Sequence, residues 1–165
     1  MVAGRRRLPQ ALQLAVLIFL VPMSACGART KMADFTFHDL SGSARGIADL
    51  AGRPAVLVFW RSDCGPCLVE FQGLADLQDA ARPGRLVTVA VEDSSSARET
   101  LSRMKFSPAH AWMVDGTPER VLSAFADGPP RLPLAVAVDS RGLLCKRHIG
   151  LLGSNRVRKW MHQCS

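Results

Sequence analysis

Residues 55–67 read AVLVFWRSDCGPC. The first six are apolar without a break, which is typical of a central strand buried on both faces. Two cysteines follow, Cys64 and Cys67, with Gly65 and Pro66 between them. We predict that the strand delivers Cys64 to the start of a helix, where free backbone N–H groups and the helix dipole stabilise a thiolate. The stretch therefore indicates a site of thiol–disulfide exchange.

Length and charge limit the classes of protein that fit. The chain has 165 residues, the size of one domain, and 48% of them are hydrophobic, which is enough for a core. Its formal charge is +7, but three of its 21 basic residues lie at residues 5–7 in a predicted signal segment. Without those three, 18 Lys and Arg stand against 14 Asp and Glu, a charge of +4. No basic stripe is interleaved with aromatic residues, so a nucleic-acid partner is not expected.

Residues 1–25 have the composition of an export signal. The arginines at residues 5–7 precede an apolar run at residues 11–21, which is well short of the roughly 20 residues of a spanning helix. The sequence Met-Ser-Ala-Cys that ends at Cys26 is similar to a bacterial lipobox, in which the cysteine is lipidated and becomes the first residue. The alternative is an ordinary signal peptide that is cut nearby and leaves Cys26 as a spare thiol.

We expect residues 26–33 to form a short tether and residues 34–165 to form the folded domain. The domain would lie on the periplasmic side of a bacterial membrane, anchored by lipid at Cys26, or would otherwise be soluble in the periplasm. Disulfides persist outside the cytoplasm, so the Cys-x-x-Cys pair is predicted to cycle between thiol and disulfide. Zinc would need two more ligands, and none has a suitable spacing. We predict no metal, and no cofactor besides the redox-active Cys64–Cys67 disulfide.

Outside the quoted stretch the apolar pattern alternates between strand and helix. Further strands are predicted at residues 34–37, 86–91, 111–114, 134–138 and 143–149. Helices are predicted from Cys67 to the break at Pro83-Gly84, from a capping box at residues 96–99 to Met104, and over residues 118–125 and 155–163. This alternation predicts one α/β domain with a mixed sheet and helices on both faces.

The order of these elements resembles the thioredoxin fold, and more closely the TlpA/ResA-like family of exported thiol–disulfide oxidoreductases. The resemblance covers about residues 33–163. It is carried by the opening segment 34–42, by Phe59-Trp60 with Cys64-Gly65-Pro66-Cys67, by Glu70, and by Leu132-Pro133 before the strand at 134–138. It implies a thioredoxin-like three-layer α/β fold, with a central mixed β-sheet, helices on both faces and an N-terminal β-hairpin extension.

The pattern also predicts catalytic roles. Cys64 is the expected nucleophile, and Cys67 would resolve the mixed disulfide from one turn inside the helix. The buried Asp that accepts a proton in ordinary thioredoxins corresponds to Val58 here. The resemblance therefore assigns Glu70, three residues beyond Cys67, as the base that deprotonates Cys67.

A second group of residues is predicted to meet the substrate. Pro133 is expected to form a cis peptide bond with Leu132 beside Cys64, where edge backbone groups can pair with a bound peptide. The substrate-binding set is Trp60, Gly65, Pro66, Leu132 and Pro133. Pro133 could instead merely start a strand.

Two positions depart from the family pattern. Asp63 replaces the usual Trp before the nucleophile, and a carboxylate there would disfavour the Cys64 thiolate. Asp63 is therefore the residue predicted to tune the acidity of Cys64 and to make the protein a better reductant, with Arg61 offsetting part of the effect. Gln72 stands where the family often has a Pro that kinks the helix, and Gly73 could supply a softer break.

Cys145 and Cys164 are the remaining cysteines. Cys164 continues an apolar stripe on the last helix, and Cys145 lies on the strand that this helix must cover. We predict a structural disulfide between them. The alternative is a second redox couple that relays electrons to Cys64 and Cys67.

The sequence favours an exported protein-disulfide oxidoreductase that works as a reductant. The expected partners are a disulfide-bearing periplasmic protein as substrate and, by resemblance, a membrane thiol-reductant donor. Two alternatives stay open: a periplasmic copper-binding module that uses Cys64 and Cys67 as soft ligands, and a non-catalytic adaptor with a thioredoxin fold.

Overall fold

The computed structural model describes residues 35–105 and 110–165. The strands are β1 Phe37–Asp39, β2 Ala44–Arg45, β3 Ala55–Trp60, β4 Arg85–Ala90, β5 Ala111–Val114, β6 Leu134–Val138 and β7 Leu144–Ile149. The helices are α1 Gly65–Gln72, α2 Leu74–Ala80, α3 Ser94–Arg103, α4 Pro118–Phe125 and α5 Ser154–Gln163, with a 3₁₀ turn at Ile47–Leu50. The predicted signal 1–25, the tether 26–33 and the lipidation site Cys26 lie outside the described residues. Within the described ranges, no helix has both the length and the apolar character needed to cross a membrane.

The strands form one mixed sheet in the order β2-β1-β5-β4-β3-β6-β7. Central β3 runs parallel to β4, with Trp60 opposite Ala90, and antiparallel to β6, with Phe59 opposite Leu134. The carboxyl ends of β3 and β4 and the start of β6 therefore meet at the same edge of the sheet. We call this edge the top of the domain and the opposite edge its base.

Alternate side chains of β3 face opposite layers, as expected for a strand. Val56, Val58 and Trp60 pack in the cluster that includes α1, α2, α3 and α5, whereas Ala55, Leu57 and Phe59 pack with α4 and the 3₁₀ turn. Every residue of β3 is at most 1% exposed, which explains the unbroken apolar run. The prediction of a thioredoxin-like three-layer α/β fold with an N-terminal hairpin is confirmed.

An aspartate builds the turn of each of the two hairpins in the same way. The Asp39 carboxylate accepts hydrogen bonds from the N–H groups of Ser41 and Ser43, and Asp139 accepts from those of Arg141 and Leu143. Each turn ends with a glycine at positive φ, +85° at Gly42 and +77° at Gly142. Hydrogen bonds from Ser41 and then Arg45 hold the pKa of Asp39 well below its usual range. Burial opposes this effect at Asp139, but hydrogen bonds from Leu143 and Arg141 still lower its pKa.

Several predicted boundaries differ from the observed ones. The first strand begins at Phe37 instead of residue 34. Helix α3 begins at Ser94, two residues before the predicted capping box, because the Asp93 carboxylate caps it by accepting from Ser95 N and Ser96 N at 3.0 and 3.1 Å. The helix predicted from Cys67 begins at Gly65, and it is divided into α1 and α2 at Gly73, where the sequence suggested a softer break.

Candidate active site

Cys64 is placed by the end of β3 and the start of α1. It is the N-cap residue of α1, and its Sγ accepts a hydrogen bond from the Cys67 backbone N–H at 3.2 Å. Pro66 sits in the first turn, where its missing N–H leaves no helical bond unmade. A backbone N–H group of α1 and the positive end of the helix dipole therefore both face the Cys64 sulfur. This is the arrangement that the sequence predicted.

Cys64 and Cys67 form a disulfide with an S–S distance of 2.07 Å. Cys67 is 0% exposed, whereas Cys64 is half-buried and its neighbours Gly65 and Pro66 are exposed. Cys64 is therefore the more accessible of the two cysteines. The roles of nucleophile for Cys64 and resolving thiol for Cys67 stay predictions.

Two carboxylates organise the loop that leads to Cys64. Arg61 donates two hydrogen bonds to Asp63, from Nε at 3.0 Å and from Nη2 at 2.9 Å. Glu92 accepts hydrogen bonds from Ser62, at 2.8 Å from its N–H and 2.5 Å from its hydroxyl. The Arg61 carbonyl in turn accepts from the Cys64 N–H at 3.2 Å. The loop is thus fixed from both sides before the helix begins.

Glu92 was missed by the sequence reasoning. It comes two residues after β4, which lies beside β3 and runs parallel to it. Polar residues that follow neighbouring parallel strands meet at one edge of the sheet. A polar residue directly after the apolar run at 86–91 was therefore a usable signal.

Asp63 is not an isolated charge near Cys64. It is paired with Arg61, and the side chains of Asp63 and Arg61 are 68% and 44% exposed, so solvent and the guanidinium both weaken its field. The effect of Asp63 on the acidity of Cys64, and its offset by Arg61, stay predictions.

Glu70 lies inside the domain, one helical turn beyond Cys67. Only 7% of it is exposed, and its carboxylate accepts hydrogen bonds from Leu152 N at 2.5 Å and Gly153 N at 3.2 Å. These two residues belong to the segment between β7 and α5. The carboxylate thus connects the active-site helix to that segment, a contact that no local sequence pattern indicates.

The peptide bond between Leu132 and Pro133 is cis, as predicted. Pro133 is buried and Leu132 is half-buried at the start of β6. The Pro133 carbonyl accepts a hydrogen bond from Gly150 N at 2.9 Å. Residues 150–153, which we call the β7–α5 loop, therefore contact both the cis-proline and Glu70.

The predicted contact of Trp60 with substrate is wrong. The indole is 0% exposed and packs against Phe71, with ring centroids 4.8 Å apart, because the last residue of β3 points into the layer covered by α1. Its Nε1 atom is buried without a hydrogen-bond partner among the described residues. Trp60 supports α1 from below and does not line the surface.

Cys145 and Cys164 form the second disulfide, with an S–S distance of 2.13 Å. Cys145 lies beside the bulge where β7 pairs with Val138, and Val138 is opposite Ala55 at the start of β3. Ala55 and Trp60 are five residues apart on the strand, about 17 Å at a rise of roughly 3.3 Å per residue. The second disulfide therefore lies at the base, too far from Cys64 for direct exchange.

Metal ligands do not gather near these cysteines. Across residues 35–105 and 110–165, no group of three or more His, Cys, Asp or Glu side chains has a geometry that could hold a metal ion. The chemistry that this arrangement supports is exchange at the Cys64 sulfur.

A thioredoxin fold that presents a Cys-x-x-Cys disulfide at the start of its helix defines a thiol–disulfide oxidoreductase of the thioredoxin-like class. The chain belongs to the AhpC/TSA family, which matches residues 28–150. It is 26% identical over 129 residues to the thiol–disulfide oxidoreductase ResA of Bacillus subtilis strain 168, covering 78% of this chain and 71% of ResA. The resemblance to the TlpA/ResA-like family is thereby confirmed.

Solved structures show the same fold. The structure of MTB DsbF in mixed oxidised and reduced forms aligns with a TM-score of 0.65 at 21% identity, covering 81% of this chain and 97% of DsbF. The pneumococcal exposed lipoprotein thioredoxin of Streptococcus pneumoniae strain TIGR4 aligns with a TM-score of 0.59 at 21% identity, covering 79% of this chain and 98% of that one.

Proposed function

We propose that this protein is an exported reductase of protein disulfides. The observation that carries the proposal is the difference between the two cysteines. Cys64 is a half-buried N-cap residue whose sulfur accepts a hydrogen bond from the Cys67 N–H, whereas Cys67 is fully buried. This asymmetry suits a nucleophile that a substrate reaches and a resolving thiol that it does not.

The reaction follows from that geometry. In the reduced protein the Cys64 thiolate attacks one sulfur of a substrate disulfide, forming a mixed disulfide and releasing the other substrate sulfur as a thiolate. Cys67 then gives up its proton and attacks the Cys64 sulfur. The Cys64–Cys67 disulfide forms, the second substrate sulfur leaves, and two electrons have passed to the substrate.

Glu70 is proposed as the base that takes the Cys67 proton. Its support is a buried carboxylate one helical turn from Cys67. Because the same carboxylate accepts two backbone hydrogen bonds from the β7–α5 loop, a test of Glu70 must separate proton transfer from positioning. Glutamine cannot act as the base but keeps only one of the two acceptor oxygens, so the unfolding midpoint of Glu70→Gln is measured beside its resolution rate to detect the loss of one loop hydrogen bond.

The proposed substrate surface consists of Gly65, Pro66 and Leu132, and the buried Pro133 sets the backbone direction of Leu132 through the cis bond. Two exposed apolar residues lie on neighbouring elements, Val69 on α1 and Leu151 on the β7–α5 loop, 53% and 52% exposed. We propose that an extended segment of the substrate protein crosses this surface to bring its disulfide to Cys64.

The proposal places the domain on the periplasmic side of a membrane, anchored by a lipid on Cys26. The support is the lipobox-like sequence and the lipoprotein nature of the pneumococcal relative. A membrane thiol-reductant donor would return the disulfide to two thiols, and the substrate would be a disulfide-bearing periplasmic protein.

The direction of electron flow is tested by the reduction potential of Cys64 and Cys67. The protein is equilibrated in graded thiol buffers, quenched with acid and alkylated, and each cysteine is located by peptide mass spectrometry. A midpoint near or below about −230 mV is expected for a reductant. A midpoint near about −120 mV, the value of a disulfide-forming oxidant, would contradict the proposal.

Two further measurements separate the reductase from other uses of the fold. Cys64→Ser should abolish reduction of a protein disulfide, whereas an adaptor would keep its cellular phenotype with this change. Titration of the reduced protein with Cu(I) should show no tight site that requires both Cys64 and Cys67.

A further inference from the structure

A cleft of about 920 Å³ opens at the base of the domain, between α2 and the starting ends of β4 and β5. Arg53 precedes β3, Arg85 is the first residue of β4, and His110 immediately precedes β5. Because β3, β4 and β5 run parallel, all three residues lie at the sheet edge opposite Cys64. We call this the basal cleft.

The walls of the basal cleft carry an excess of positive charge. Its charged lining residues are Arg53, Arg82, Arg85 and Asp79. A second cavity of about 310 Å³ shares Arg82 and Asp79 and adds Arg158 and His162. Four arginines therefore stand against one aspartate around these two cavities, and a third cavity that shares Arg85 and His110 adds Arg45 and Asp49.

Many hydrogen-bond donors of these arginines have no partner within the described part of the chain. Arg53 makes no ion pair or side-chain hydrogen bond with any residue that the structure describes. Arg85 donates once, from Nη1 to the Asp49 carbonyl at 2.9 Å, and a guanidinium has five N–H donors. Arg82 pairs with Asp79 at 3.2 Å, but both side chains are at least 70% exposed, so this pair is weak.

His110 supplies a second, independent observation. Its imidazole lines the basal cleft, and its buried Nδ1 atom has no hydrogen-bond partner in the described part of the chain. A buried polar atom without a partner is uncommon in a folded protein and calls for a specific explanation.

We propose that the basal cleft binds a phosphate-bearing anion, either the headgroup of an anionic phospholipid or free phosphate. Planar guanidinium groups bind phosphate oxygens in pairs, and three arginines that line one cleft match the charge and the several acceptor oxygens of a phosphate group. The site is separate from the redox centre by the length of the sheet. If the anion is a lipid headgroup, the base of the domain faces the bilayer and Cys64 faces away from it.

The first experiment titrates the full chain, kept in mild nonionic detergent, with inorganic phosphate at constant ionic strength. Arginine Nε–Hε resonances report the binding by NMR. Arg53→Gln is the main variant, because Arg53 has no ion pair or side-chain hydrogen bond among the described residues whose loss could disturb folding, and Arg85→Gln is the second. Arg120→Gln on α4 is the matched control, an exposed arginine without a side-chain partner among the described residues. Each cleft variant should weaken binding about tenfold, the weight of one charge-assisted hydrogen bond.

The second experiment identifies the source of the phosphate group. The same variants are sedimented with vesicles of phosphatidylcholine alone or mixed with phosphatidylglycerol. All the variants carry the same N-terminal apolar segment, so differences between them report the basal cleft. Greater binding to the anionic vesicles that is lost in Arg53→Gln and kept in Arg120→Gln supports a lipid headgroup. Phosphate binding that depends on Arg53, without a difference between vesicles, supports free phosphate. The proposal is overturned if neither ligand depends on Arg53, or if Arg120→Gln weakens binding equally.

Discussion

Removing the second disulfide tests whether its role is structural. The cross-link joins residues 19 apart in sequence, and closing a loop of about 20 residues stabilises a protein by roughly 3 kcal/mol through the entropy of the unfolded chain. Cys164 is 1% exposed, so alanine is preferred to serine at both positions. We expect Cys145→Ala/Cys164→Ala to lower the free energy of unfolding by about 3 kcal/mol and the melting temperature by roughly 10 °C.

Urea unfolding of the oxidised protein measures this loss. The midpoint should fall, and the rate at which Cys64 and Cys67 reduce a protein disulfide should stay within about twofold of the wild type, because the second disulfide lies at the base. Cys64→Ala/Cys67→Ala is the control, since it opens a loop with a separation of only 3 residues and should cost less stability.

Two results would refute this reasoning. An unchanged unfolding midpoint would mean that the disulfide constrains nothing that the unfolded chain would otherwise explore. A large fall in the rate of disulfide reduction, in variant protein that is still folded, would mean that Cys145 and Cys164 do more than stabilise the fold, either by relaying electrons or by holding the β7–α5 loop against Glu70.

Three other substitutions have defined outcomes. Glu70→Gln should slow resolution by Cys67 while leaving the attack of Cys64 on a substrate disulfide intact, measured by rapid quench of the mixed disulfide; equal resolution rates would remove Glu70 as the base. Asp63→Asn should raise the reduction potential by at most about 20 mV, because an exposed ion pair contributes only about 0–1 kcal/mol and roughly 30 mV corresponds to 1.4 kcal/mol. Arg61→Gln should shift the potential the opposite way. Shifts of the same sign in the two variants would contradict the pairing of Arg61 with Asp63. Because the pKa of Asp39 is lowered in the folded protein, its contribution to stability is present above its unfolded pKa, about 4, and is lost as the pH falls further. Urea unfolding between pH 6 and 2 should therefore show a steeper loss of unfolding free energy in wild type than in Asp39→Asn. Parallel curves would show that Asp39 does not link folding to pH.

The parts of the fold predicted correctly were those with strong local patterns. The unbroken apolar run of β3 and the Cys-x-x-Cys that follows it specify a buried strand and an N-capped helix without reference to the rest of the chain. The cis bond before Pro133 followed from the family resemblance. Such features depend on few residues that are close in sequence, so one chain is enough to find them.

The parts that were missed depend on contacts between distant residues. Glu70 and Leu152 are 82 positions apart, and Ser62 and Glu92 are 30 apart. Trp60 was placed in the substrate-binding set, but strand alternation turns its side chain into the core. Near the site, the direction of each side chain is set by the layer that covers it, which the sequence alone does not define.

The two disulfides are connected through one structural unit. Strand β7, the β7–α5 loop and α5 form a closed segment, since Cys145 and Cys164 join its two arms at the base. Its tip at the top donates hydrogen bonds from Leu152 and Gly153 to Glu70, and from Gly150 to the Pro133 carbonyl. A cross-link at the base limits how far the arms can separate, while the hydrogen bonds at the tip fix its position against α1. We propose that the hydrogen bonds at the tip are enough to position Glu70, so that removing the second disulfide lowers stability and leaves the rate of disulfide reduction nearly unchanged.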